Sequence, residues 1–220
     1  MEPGDVIEAV AACRRTLRPL AGLDWSVRAG ELEWSVWRTV SHISDAVGCY
    51  AGYLAVRSPH RLRFDVRTHD GATNGELLDV LDTAAALLTQ VAAAAEPDAR
   101  AYHGAGMADP DGFLAMGCDE TLVHCWDAAR GLGAEFDAPP ALAERTVRRL
   151  FPWAPTGVPP WPALLWANGR LDLPGRPRPA TDWVWHCAPL REWDGTVPRW
   201  TTPPSRYEWD DPTRRWRPAR

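Results

Sequence analysis

The chain contains no lysine. All 24 of its basic residues are arginine, which excludes a lysine Schiff base and a lysine general base. Long uncharged apolar runs are also missing. None approaches the roughly 18 residues a membrane span needs, so no membrane partner is expected. No basic start followed by an apolar core marks a secretory leader. The five cysteines (13, 49, 118, 125 and 187) are odd in number and lack a CxxC pair. That pattern suits buried thiols in a reducing cytoplasm, not a disulfide framework. An excess of positive charge is absent too: net charge is -5, with pI ≈ 5.7, which argues against nucleic acid as a partner. There is no GxGxxG, phosphate-binding loop, HExxH or GxSxG motif. Ser41 beside His42 is no dyad, because adjacent helical residues point apart.

What is present is helical periodicity. The spacing predicts helices over Asp5 to Leu20, Glu33 to Arg57, Asn74 to Ala95, Pro110 to Leu132 and Pro140 to Phe151. Asp5 is a candidate cap for the first. In the second, Val36, Val40, Ile43, Val47, Tyr50 and Leu54 form a bundle-type seam. Pro59 to Thr68 alternates weakly and reads as extended, and Arg100 to Asp109 reads as a loop. After residue 151 the composition shifts: residues 152–220 hold 14 of the 21 prolines and 9 of the 13 tryptophans. So many prolines exclude a regular bundle helix there, while so many tryptophans exclude simple disorder. The expected architecture is mainly α: an up-down four-helix bundle over 1–151, with an irregular Pro/Trp-rich extension over 152–220 packed on it. Short strands are expected at Asp182–Trp185 and Tyr207–Trp209.

The residues with chemistry lie in the fourth helix. Glu120 and His124 are four apart and share a face with Phe113, Gly117, Thr121, Ala128 and Gly131. A carboxylate and an imidazole on an inward face need a partner, and small neighbours leave room for one. Two readings stay open: a buried Glu–His hydrogen bond, or two ligands of a metal completed from another helix. Cys118 and Cys125 point away from this face. His42 lies on an apolar flank of the second helix with Ala46, Cys49 and Tyr53. Asp45, one turn later, reads as facing solvent or standing behind a site. His103 reads as a loop histidine, with entry into a site just ahead of the fourth helix as the alternative. Trp183, Trp185, His186 and Arg191 are candidates for a pocket mouth, with packing as the alternative.

Three stretches carry a resemblance: Trp37 to Asp45, Glu120 to Arg130 with its Trp126-Asp127 pair, and Asp109-Pro110-Asp111-Gly112-Phe113. In order and spacing the chain resembles the DinB / mycothiol-dependent maleylpyruvate isomerase superfamily over about residues 5–150. The resemblance implies a four-helix bundle holding a divalent metal through His42, Glu120 and His124. It implies zinc first, with nickel or iron also suited to two histidines and a carboxylate. It further implies a low-molecular-weight thiol of the mycothiol type, held as a thiolate nucleophile, and transferase or isomerase chemistry on a small electrophile. No catalytic arginine is carried over, because residues 152–220 do not align with the isomerase's C-terminal domain.

The leading expectation is therefore a metal-dependent enzyme acting on a small-molecule substrate. Metal-water hydrolysis is a rival chemistry, and a non-catalytic binding or stress-response module on the same bundle is a rival class. A homodimer is compatible with such a bundle.

Overall fold

The computed structural model describes residues 1–69, 71–180 and 182–199, together with the backbone of two strands further on. Four long helices form the body: α1 (Pro3–Leu17), α2 (Val36–Val56), α3 (Asn74–Ala94) and α4 (Pro110–Gly131). The expected helices are present, with ends shifted by a few residues. Asp5 does not cap α1. It sits one turn in and completes a capping box with Glu2. Ser35 caps α2, Thr73 with Glu76 boxes α3, and Asp109 caps α4 just before Pro110.

Each of α1 and α2 packs against both α3 and α4. Thr89 near the end of α3 donates to the carbonyl of Pro3, and Arg14 near the end of α1 reaches Leu78 at the start of α3. These two helices therefore run antiparallel. Val36 lies beside Gly131, and Tyr50 beside Phe113, so α2 is antiparallel to α4. Val6 lies beside Gly117, and the N-terminal amine pairs with Asp111, so α1 is parallel to α4. The bundle thus runs up-down-down-up, and its alternation is interrupted once, between α2 and α3. Because these neighbours run the same way, their connection must travel back along the bundle. It does so over α2, where glycines replace side chains. A Cβ on Gly48 would lie 2.8 Å from Val66 Cγ1, and one on Gly52 2.6 Å from Phe64 Cε1.

The hairpin before α4, a sixth helix and strand β4 (Arg215–Pro218) are absent from the sequence reading. The segment before α4 is a hairpin, β1 (Ala101–His103) with β2 (Gly106–Ala108). Beyond α5 (Pro140–Leu150), the proline-rich extension forms a further helix, α6 (Pro160–Ala167). Pro160 and Pro162 fall in the first turn of α6, where the missing N–H has no intrahelical partner to lose. Trp161, Leu164, Leu165 and Trp166 of α6 are buried, and α6 packs on α5, which packs on α4. The expected strand at Asp182–Trp185 is not formed; only a single bridge joins Trp183 to Arg199. The other expected strand is β3 (Tyr207–Asp210), paired with β4 (Arg215–Pro218).

Among the described residues one helix, α3, is long and apolar enough to cross a membrane by length and composition. In the bundle its Leu77, Leu78, Leu81, Ala84, Ala85 and Leu88 are buried, and Arg14 pairs with its Asp79 and Asp82.

Candidate metal centre

The antiparallel packing of α2 and α4 brings His42 opposite Glu120 and His124. The three offer ligand atoms that all lie within 4.8 Å of one another, a group that could hold a metal ion. His42 Nε2 is 3.4 Å from Glu120 Oε2, and His124 Nε2 is 3.3 Å from the same oxygen. The two imidazole rings stand nearly perpendicular, 5.3 Å apart.

Two of the three, Glu120 and His124, are held from behind. Tyr50, two turns along α2 from His42, donates its hydroxyl to Glu120 Oε1 at 3.1 Å. Asp127, one turn beyond His124, lies with Oδ2 3.0 Å from His124 Nδ1. An ionised carboxylate only accepts, so Nδ1 carries the proton and Nε2 is the nitrogen aimed at Glu120. Arg170, from the segment after α6, reaches Asp127 Oδ2 at 2.8 Å and fixes it in turn. Trp34 covers the outer side, its ring 5.0 Å from that of His42 and 6.3 Å from that of His124. Its loop is pinned to the end of α4, where Gly131 lets the Arg28 carbonyl approach the helix.

The charges follow from this arrangement. Burial opposes the Glu120 carboxylate, but His42 and His124 outweigh it and hold Glu120 well below the usual carboxylate range. Burial likewise opposes a charged His124, yet Asp127 and Glu120 raise it to about 9. Burial works against the Asp127 carboxylate as well, and His124 and Arg170 hold it low. Without an ion the site is thus a compact array of opposite charges.

Distances test whether a metal suits it. A hydrogen bond between charged groups is short, about 2.7–2.9 Å, so contacts of 3.3 and 3.4 Å are long for that purpose. Ligands on a tetrahedral zinc with bonds of about 2.0–2.1 Å stand roughly 3.4 Å apart. The observed separations match that edge, and the donor set of two imidazoles and a carboxylate is one that zinc, nickel or iron accepts.

Beyond these three, the sequence candidates divide. Cys125 lies against Cys13, and no described cysteine joins the group. Of the two readings its helix position left open for Asp45, facing solvent does not hold. The returning segment covers it, the backbone of Thr68 bonds to it, and burial raises its carboxyl to about 7. His103 is not an open loop residue: burial lowers it to about 4, and its ring sits 5.4 Å from Tyr50 and 5.6 Å from Trp185. Trp185 reaches inward and donates to Asp119 Oδ2 at 2.9 Å, with Asn168 donating to the other oxygen. Trp183 packs on Phe151, His186 on the Pro189 carbonyl, and Arg191 is exposed. Two of the small residues on the Glu120 face, Gly117 and Gly131, are taken up by neighbouring elements. Gly117 admits Leu88 of α3, and Gly131 admits the Trp34 loop.

No family model, no curated protein and no solved structure matches the chain. The site therefore stands on its own geometry.

Tyr50, Trp34, Arg170 and the tie from Asp127 to His124 were missed in the sequence. Asp127 had a local signal, three residues after His124. Tyr50 shared a helical seam with ordinary core residues, and Trp34 and Arg170 had no local signal at all.

Proposed function

We propose that the chain binds a divalent metal, zinc foremost, through His42, Glu120 and His124 and uses it on a small molecule. The class of reaction is that of the thiol-dependent transferases and isomerases that the sequence resembles. One observation carries the reading: two imidazole nitrogens converge on a single carboxylate oxygen at separations suited to shared coordination. Three protein ligands leave open positions. The metal would supply a lowered pKa for a thiol or water bound there. The chain's own residues do the rest. Asp127 keeps the His124 proton on Nδ1, Tyr50 orients Glu120, and Trp34 limits water over the two imidazoles.

The test is cobalt(II)-loaded protein titrated with a small thiol. A near-ultraviolet sulfur-to-cobalt band should appear and be absent from a His124→Ala variant. A cobalt spectrum indifferent to thiols and to other small ligands would remove the open positions. A non-catalytic binding or structural role for the bundle would then be left.

A further inference from the structure

The segment that returns over α2 does more than connect helices. Between it and the flank of α2 lies a groove of about 700 Å³, within the size range of small-ligand sites. His42 forms part of its wall, so one side chain belongs both to the groove and to the metal-ligand group. Four arginines line it: Arg38 from α2, and Arg61, Arg63 and Arg67 from the returning segment. Two acids oppose them, Asp65 and the covered Asp45. The groove is therefore net positive in a chain whose net charge is -5. Arg61 and Arg63 make no ion pair with any described residue. Between the arginines stand Phe64 and Val66, whose side chains rest on Gly52 and Gly48 and give the groove an apolar floor.

Guanidinium groups pair with carboxylate and phosphate oxygens in two-pronged fashion. Apolar walls take up a hydrocarbon body. We propose that this groove binds a small organic anion, with its charged head on Arg61 and Arg63 and its apolar body along Phe64 and Val66 toward His42. The inference deepens the proposed function by giving the substrate class of that site. It rests on that reading only for the chemistry at the His42 end.

The probes are 4-phenylbutyrate and its uncharged amide, titrated calorimetrically into the full chain and into an Arg61→Gln/Arg63→Gln variant. Both arginines are exposed, so the variant should fold, and circular dichroism checks that it does. The acid should bind at least tenfold more tightly than the amide, and the double variant should lose that preference. Equal binding of acid and amide, no binding of either, or a preference that survives in the variant would overturn the proposal. A second arm uses cobalt(II)-loaded protein, in which probe resonances should broaden by proximity to the ion. Arginine-dependent binding in a chain that takes up no cobalt would uphold the groove and defeat the metal reading. Cobalt uptake without arginine-dependent binding would do the reverse.

Discussion

Replacing Asp45 with Asn should change stability in a way that depends on pH. The returning segment covers this carboxyl, and burial, partly offset by Arg38, the Thr68 backbone and Arg67, lifts it from 3.8 to about 7. A carboxyl raised in the folded state contributes fully below its unfolded value and loses that contribution as pH rises through the folded one. Three units at about 1.4 kcal/mol each set an upper bound of about 4 kcal/mol. Partial exposure reduces this to about 2–4 kcal/mol. Asparagine keeps the shape and cannot ionise. The variant should therefore match the parent near pH 4 and exceed it by about 2–4 kcal/mol at pH 8. For a chain of this size that is about 4–16 °C in Tm. Urea unfolding of both proteins across that range measures it, because other titrating groups are common to the two. A difference that does not vary with pH would mean that the segment does not lie over α2, and the groove would fall with it.

Asp127→Asn removes the charge behind His124. Loss of such an outer partner should weaken zinc binding about 10–100-fold, measured by competition with a chromophoric chelator; unchanged affinity would show that His124 needs no such support. Gly52→Ala puts a methyl group where Phe64 now rests. Helix propensity should offset the lost packing to within about 1 kcal/mol, but trypsin should cut faster after Arg61 and Arg63. An unchanged rate of cutting would mean that the segment is not seated on this glycine.

The helices were legible because their apolar spacing repeats with the helical turn, as in the Val36 to Leu54 seam. Their ends were less so: Asp5 looked like a cap, yet Glu2 caps and Asp5 completes the box. Glu120 and His124 were legible as a pair from their register alone, whereas His42, on an apolar flank open to a structural reading or a ligand reading, joined them as the third member through the resemblance. A helical wheel describes one helix and no neighbour. It therefore left Asp45 either facing solvent or standing behind a site, since nothing on α2 announces that the chain returns over Gly48 and Gly52. The path follows from the parallel arrangement of α2 and α3, a property of the whole bundle. Composition misled at α6, because proline counts ignore position and two of those prolines fall in a first turn. The partners of Asp119 and Asp127 come from Asn168, Trp185 and Arg170, far along the chain. Only the packing of the extension on α4 joins them.

The central claim is that His42, Glu120 and His124 hold a metal. Elemental analysis of protein purified without an affinity metal, beside the folded His42→Ala and His124→Ala variants, tests it most directly. The account predicts about one zinc-class ion per chain in the parent and loss of the ion in both variants. A parent that stays metal-free after reconstitution, or variants that keep a full complement, would contradict it.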